Sequence, residues 1–444
     1  MALGGGVWFS QNKKLPGAYI NFVAKMKATA ALLDRGLVAM GVALDWGVDG
    51  EVMEVTTGDF IKNSMKLFGY DYGAEEMKGL RDLFKYTRIA YIYKLNSNTS
   101  TGKATNTYAT AKYAGTRGNV IKIRVAVNAD DATKWDFETI FDDVTVDLQT
   151  VTHTSELVAN DYVTWKSVAD ADIAATAGLA MTGGTSAAVT VANHQTFLDK
   201  IEAYSVNAVG VVNDESVVGH LNLHALYAAW VKRMRDEMGI KLQVVMYNYA
   251  GDYEGIVNVK NPVTDTGWSA ASLVYWVTGI VAGMNTNESA LNLIYNGEFT
   301  VSADYTQTQL ERAIDAGEFT LHKVENNLRI LADINSLVTT TLEKSDDFKS
   351  NQTIRVIDEI ALSIAHIFNT KYLGRIPNDK DGRIALWADI VAHHKELERV
   401  RAITDFDENA VVVEQGNTKG AVLVNDEVIV VNAMDKLYMT CVVA

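Results

Sequence analysis

The stretch Leu242–Val259, LQVVMYNYAGDYEGIVNV, contains two apolar runs that are separated by a polar turn with a glycine. Each run, Leu242–Tyr247 and Gly255–Val259, has the length and composition of a buried strand. The pattern around this stretch alternates between helix and strand, which predicts an α/β layer with a largely parallel sheet. The flanking predicted elements are a helix at His194–Tyr204, a strand at Ala208–Val212, a helix at Glu215–Met238 and a helix at Ser269–Met284.

Upstream of this region the chain changes character twice. Thr57–Tyr86 has a helical pattern, and Ile89–Leu95 is a predicted strand. Ten of the fifteen residues in Asn96–Thr110 are Ser, Thr or Asn, which is typical of a loop or a domain boundary. Strand-like segments follow, beginning with the alternating run Val120–Val127. We therefore predict a small all-β domain at about Asn96–Met181.

The C-terminal part begins with an amphipathic helix at Asn351–Lys371, followed by a second helix at Ile384–Glu398. Of the last 24 residues, 17 are apolar, and they predict two strands, Glu427–Val431 and Leu437–Val443, around a turn at Asn432–Lys436. Chain ends usually fray, so an apolar end of this kind must pair. It can complete the sheet of its own domain or join that of a neighbouring copy.

Composition excludes several classes of function. The 444 residues are 48% hydrophobic and 21% charged, with a formal net charge of −15, which argues against a broad basic face for nucleic acid. Cys441 is the single cysteine, so an intramolecular disulfide is impossible, and a reducing cytoplasm is the expected place of folding. We expect no signal peptide, because the N-terminus lacks a basic region followed by an apolar core. We expect no membrane insertion either, because the apolar run Ala270–Met284 is too short to span a bilayer.

Two histidine pairs are candidate metal ligands. His220 and His224 stand four residues apart on a predicted helix, a spacing that can share a zinc ion. Leu221 occupies the position where the metalloprotease motif needs a glutamate, and no third ligand is evident, so ordinary helix histidines are the favoured interpretation. His393 and His394 are adjacent and should face different directions. We expect neither a metal nor a cofactor.

The sequence offers no convincing catalytic set. Gly184–Ala188, GTSAA, is similar to the serine motif of subtilisin-type proteases, but that mechanism needs an upstream histidine base, and His153 is the only upstream histidine. There is no glycine-rich phosphate loop. Adjacent acidic pairs are interpreted as turns or first helical turns; they are Glu75-Glu76, Asp130-Asp131, Asp142-Asp143 and Asp346-Asp347.

Four segments resemble the tail sheath proteins of contractile phages and phage-tail-like particles, in particular those of Gram-positive prophages. They are Gln11–Phe22 (QNKKLPGAYINF), Tyr113–Val125 (YAGTRGNVIKIRV), Lys371–Ile390 (KYLGRIPNDKDGRIALWADI) and Asp405–Val443. Their order and spacing across the chain make the resemblance specific. The chain departs from the family at Thr185–Ala188, where a glycine-containing turn usually follows the Gly-Gly, and this blurs one domain boundary.

The resemblance implies a multidomain α/β fold. We expect an N-terminal arm at 1–20, an α+β region at 21–95, a β-sandwich insert at 96–181, an α/β core at 182–338 that is subtilisin-like in fold but not in activity, and an α+β C-terminal domain at 339–444 that ends in a strand arm.

The implied function is structural: a sheath subunit that polymerises helically around a tail tube and contracts when the baseplate triggers it. Partners would be other copies, in stacked hexameric rings, and the tube, baseplate and terminator proteins. The alternatives are an α/β hydrolase with its site at the strand carboxyl ends and a secreted surface protein. We predict that Val7–Ser10 and Val428–Val443 are lent to neighbouring subunits. The predicted exchange residues are Val7, Trp8, Phe9, Val428, Ile429, Val430, Leu437, Tyr438, Met439 and Val442.

Overall fold

The computed structural model describes residues 32–97, 102–214 and 219–443. Helix α1 begins at a capping box, in which Thr56 and Asp59 each bond the backbone of the other, and it ends at Gly69 in the left-handed conformation. The elements before the insert are β1 (Leu37–Val42), β2 (Val52–Thr56), α1 (Thr57–Phe68), α2 (Lys78–Phe84) and β3 (Ile89–Lys94).

The next segment is built from strands and short turns, as predicted. Its strands are β4 (Ala109–Ala111), β5 (Ile121–Val127), β6 (Trp135–Phe141), β7 (Val144–Val151), β8 (Val163–Trp165) and β9 (Thr176–Ala180). An antiparallel sheet in the order β7-β6-β5-β9 and the pair β4-β8 enclose one core around Phe137 and Phe141. The β6–β7 turn places Asp142 and Asp143 at positive φ, 54° and 62°.

After the insert the chain returns to the first layer. The elements are α3 (Val191–Ile201), β10 (Ala208–Val211), α4 (His220–Lys232), β11 (Gln243–Tyr247), β12 (Ile256–Val259), α5 (Leu273–Gly283), α6 (Gln307–Asp315) and β13 (Glu318–Phe319). The predicted start of the helix at Glu215 lies outside the described residues. Together with β1–β3 these strands form one seven-stranded sheet, in the order β13-β12-β11-β10-β1-β3-β2.

The sheet is parallel throughout except where β2 meets β3, which confirms the predicted parallel layer. Helices α1, α2 and α5 cover one face, and α3 and α4 cover the other. Because β1 lies between β3 and β10, the predicted regions 21–95 and 182–338 contribute strands to a single sheet. The insert separates these two regions in the sequence. Helix α5 is buried almost throughout, as its apolar sequence predicted.

The chain then forms a hairpin and a C-terminal α+β unit. The hairpin turn places Glu325 at positive φ, 55°. The elements are β14 (Leu321–Val324), β15 (Asn327–Ile330), α7 (Asn351–Ile367), α8 (Lys380–Arg399), β16 (Ile403–Thr404), β17 (Val412–Gln415), β18 (Val422–Asn425) and β19 (Ile429–Val430). None of the helices in the described ranges is both long and apolar enough to cross a membrane.

Buried contacts join these parts to one another. Trp46, which follows β1, is fully buried in the core of the insert. Arg235, after α4, makes a bidentate ion pair with Asp358 of α7, with N···O distances of 2.7 and 2.8 Å. Arg355 of α7 pairs with Asp333 at 2.7 Å. All four charged side chains are at least nine-tenths buried, so the C-terminal unit is fixed to the central sheet.

Candidate assembly surface

The terminal segment, residues 434–443, contains most of the large apolar side chains that are almost fully exposed in the described chain. The exposed fractions of Leu437, Tyr438 and Val442 are 86%, 89% and 86%, and that of Met439 is 79%. No hydrogen bond joins this segment to another part of the chain that the structure describes. The predicted strand Leu437–Val443 therefore has no partner strand among the described residues, although its composition is that of a strand.

The residues that lead into the terminal segment are anchored. Ile429 and Val430 form β19, which pairs antiparallel with Ile403 and Thr404 of β16. Val428 packs against the small apolar cluster below it. The predicted exchange residues Val428, Ile429 and Val430 therefore contact their own domain within the single chain. The segment without a partner strand begins after them. Val7, Trp8 and Phe9 lie outside the described residues.

The C-terminal unit also offers sheet edges. Strands β17 and β18 form an isolated antiparallel hairpin, and one face of this hairpin packs on α8. In the part of the chain that the structure describes, neither strand has a second neighbour. The exposed fractions of Val412 and Leu423 are 40% and 49%. Unpaired edges with apolar side chains can accept an added strand.

The first histidine pair lies on α4. His220 and His224 have ring centroids 6.4 Å apart, and both ring nitrogens of His224 are buried without a hydrogen-bond partner among the described residues. Burial, and secondarily the His220 ring, lowers the pKa of His224 to about 4. No group of three potential ligands occurs within the described ranges. Burial disfavours the charged form of the His224 ring, as expected for a histidine in the packed face of a helix.

The expectation that His393 and His394 face apart is wrong. Their Nδ1 atoms are 3.2 Å apart, and both rings are buried. The rings converge because Nε2 of His394 bonds the Asp426 carboxylate at 2.5 Å while Phe406 packs edge-on against the same ring. Burial, with the neighbouring His394 second, lowers the pKa of His393 to about 4. This pair ties α8 to the segment that precedes β19.

The serine motif lacks a base. Ser186 Oγ donates to Asp45 Oδ1 at 2.9 Å, and no histidine in the described residues contacts it. His153 lies in the insert, where its Nδ1 is 2.8 Å from Asp170. The acidic pairs lie in turns or first helical turns, as predicted; for example, Asp142 and Asp143 form the β6–β7 turn and pair with Arg117, just before β5, and with Lys122 in β5.

Sequence reasoning missed the residues that anchor the terminal segment. Gln352 and Thr353, at the start of α7, are 3% and 2% exposed and bond Val431, Asn432 and Ala433. No sequence pattern marks them, because Gln352 lies on the same side of α7 as Arg355 and Glu359, away from the apolar stripe of the helix.

Three sequence profiles match consecutive parts of the chain: the phage tail sheath protein beta-sandwich domain over residues 97–188, the central domain over residues 187–336 and the C-terminal domain over residues 343–444. Phage-like element PBSX protein XkdK of Bacillus subtilis is 30% identical over 465 residues, which cover 98% of each chain.

Two solved structures show the same fold. The sheath tail protein of Desulfitobacterium hafniense superposes with a TM-score of 0.81 at 31% identity, and the match covers 95% of this chain and 99% of that one. The anti-feeding prophage helical sheath in its contracted state has a TM-score of 0.55 at 13% identity, and the match covers 97% and 99% of the two chains. The profiles, the full-length relative and the D. hafniense structure agree, and the chain therefore belongs to the phage tail sheath protein family.

Proposed function

We propose that this sheath protein polymerises helically around a tail tube by exchanging terminal strands, and that the polymer contracts to drive the tube through a cell envelope. The observation that carries the proposal is the exposed apolar segment 434–443, which pairs with no other described part of its own chain. An apolar strand of this length, left in water, is a site for association with another chain.

The chemistry of the exchange follows from strand geometry. Ten residues in extended conformation reach about 33 Å. Alternate side chains point to opposite faces, so Leu437, Met439 and Cys441 share one face while Tyr438 and Val442 share the other. The free edges of the β17–β18 hairpin in a neighbouring copy are the proposed acceptor, and Val7–Ser10 would supply a further strand. A head-to-tail contact that does not close generates a helix of subunits.

The subunit body would move as a unit during contraction. Trp46 locks the insert to the central layer, and the Arg235–Asp358 and Arg355–Asp333 pairs lock the C-terminal unit to it. Rigid bodies joined by thin strands can rotate and slide without losing the connections between them. The extended state would then be held kinetically, with new contacts between subunits as the driving force.

The remaining parts of the proposal come from family membership. We propose stacked hexameric rings, contacts with tube, baseplate and terminator proteins, assembly in the host cytoplasm, and a place in a virion tail or a phage-tail-like particle. We also retain the subtilisin-like description of the central domain, which the mostly parallel sheet covered by helices on both faces supports. The mechanism needs no catalytic residue and no cofactor.

The test compares two leucines that are both exposed in the single chain. Leu437→Asp places a charge in the terminal segment, and Leu148→Asp places one on the insert, where the exposed fraction is 58%. Neither change should alter the free energy of unfolding of the monomer by more than about 0.5 kcal/mol. Electron microscopy and sedimentation should show that Leu437→Asp stays monomeric while Leu148→Asp forms tubes like the parent.

Deletion of Leu437–Ala444 or of Met1–Pro16 should likewise leave a folded subunit that does not polymerise. Long sheaths formed by Leu437→Asp or by either deletion variant would show that strand exchange is not the assembly contact.

A further inference from the structure

The terminal segment leaves the subunit body at a defined place. Ladder bonds join β19 to β16, and the bond from Val431 N–H to the Ala402 carbonyl, at 3.0 Å, extends this ladder by one residue. Beyond Ala402 the chain of β16 offers no further partner, because the preceding residues belong to the end of α8. From Val431 onwards, the side chain of Gln352 supplies the hydrogen bonds that a neighbouring strand would otherwise make.

The Gln352 carboxamide is bonded as a peptide group would be. Its Nε2 donates to the Val431 carbonyl at 3.2 Å, and its Oε1 accepts the Ala433 N–H at 2.9 Å. The carbonyl of one residue and the N–H of the residue two further on face the same edge of a strand. The carboxamide therefore continues the β16 ladder along that edge and keeps residues 431–433 extended.

Both N–H donors and the oxygen of the Gln352 side chain form hydrogen bonds to the backbone of other segments. A primary carboxamide has two N–H donors and one acceptor oxygen. The second donor reaches the Asn287 carbonyl at 3.1 Å, in the loop after α5. Beside it, the Thr353 hydroxyl bonds Asn432 Oδ1 at 3.1 Å. Gln352 is 3% exposed, and its side chain connects α7 to the loop after α5 and to residues 431–433, which precede the terminal segment.

We propose that Gln352 is a positioning residue which fixes the point and the direction in which the exchanged strand leaves the subunit. The inference rests on the proposed strand exchange for its role in assembly. Anchoring at Ala433 leaves residues 434–443 to span the gap, a reach of about 33 Å. The anchor would therefore limit the separation at which neighbouring subunits stay connected, and it would make the strand follow every rotation of the body.

Hydrogen exchange of the full-length monomer tests the anchor without requiring assembly. In the parent, the amides of Val431 and Ala433 should be protected while those of residues 434–443 exchange at the rate of an unstructured chain. In Gln352→Met, which keeps the volume but removes the bonds, Ala433 should exchange about tenfold faster while Val431 stays protected. Thr353→Val is the matched control, since it removes the neighbouring side-chain bond but leaves Ala433 protected.

Three results decide between the possibilities. If Ala433 in the parent exchanges as fast as Leu437, the anchor does not exist; this measurement needs no variant to fold. If Gln352→Met leaves Ala433 protected, the carboxamide is not what holds it. If the exchange results are as expected and the parent polymerises, but Gln352→Met forms tubes at the parent's rate and length, the anchor is real but has no positioning role. A parent that fails to polymerise would overturn the proposed function and, with it, the positioning role, and leave the anchor itself standing.

Discussion

Trp46 should determine whether the β-sandwich insert and the central layer behave as one body. The residue follows β1 in the chain, but its side chain is fully buried among insert residues, with ring centroids 5.2 Å from those of Tyr113 and Phe141. Its indole N–H donates to the Lys66 carbonyl in α1 at 3.1 Å. Trp46→Ala would remove the side chain that both parts of the molecule contact.

The expected cost follows from these contacts. Truncating a fully buried tryptophan costs about 3–5 kcal/mol, because it leaves a cavity that the surroundings fill only in part. The lost indole bond also leaves the Lys66 carbonyl with one partner fewer. Since the lost side chain belongs to the core of the insert and also bonds α1, we expect the unfolding transition to split, with the insert melting first.

Urea denaturation followed by far-ultraviolet circular dichroism measures this effect. Trp46→Phe is the control: it keeps an aromatic ring in the cavity and loses mainly the N–H bond, so it should cost about 1–2 kcal/mol and keep one transition. A loss below about 1 kcal/mol for Trp46→Ala, with a single transition retained, would show that the junction does not depend on this side chain.

Three further results are expected. Arg235→Met should lower the free energy of unfolding by about 3–5 kcal/mol, because Asp358 is left buried and unpaired, and the double variant Arg235→Met/Asp358→Leu should recover most of this loss in the same urea assay; equal losses would contradict it. The Cys441 thiol is exposed in the subunit and should react with maleimide about tenfold more slowly in assembled tubes, whereas equal rates would place it outside the interface. Burial lowers the pKa of His194, His224 and His393 from 6.5 to about 4. Between these pH values the unfolded chain binds more protons than the folded chain, so acidification from pH 7 to pH 5 should lower the free energy of unfolding by about 2 kcal/mol for each histidine. Urea midpoints that do not fall, or that fall as much in His224→Gln as in the parent, would contradict this.

The parts of the fold that local sequence determines were predicted well. The alternation around Leu242–Val259 gave the strands and helices of the central layer to within a few residues, because each buried strand is a short apolar run between turns. The helix from Asn351 was also predicted correctly. Strand order was not predictable in the same way. Nothing in Leu37–Val42 itself indicates that this strand lies between β3 and β10, across an insert of about eighty residues.

Side-chain convergence was harder to predict than secondary structure. Adjacent histidines on an ideal helix diverge, but His393 and His394 meet because Asp426, from a distant strand connection, draws one ring towards it. The role of Gln352 could not be predicted from the sequence for the same reason. Its neighbours come from residues 287 and 431–433, and neither segment is marked in the sequence as a partner of α7.

The terminal segment combines an apolar composition with almost full exposure in the single chain. Its composition demands burial, yet in the subunit its leucine, tyrosine and methionine side chains remain in water. If the segment simply lacked a place to fold, it would be loosely attached along its length. Instead, buried side chains of α7 and α8 hold the residues just before it, through Gln352 and through the His394–Asp426 pair. A segment that is fixed at its start and exposed beyond it is what the proposed strand exchange requires. On that proposal, its partner lies on the surface of a second copy.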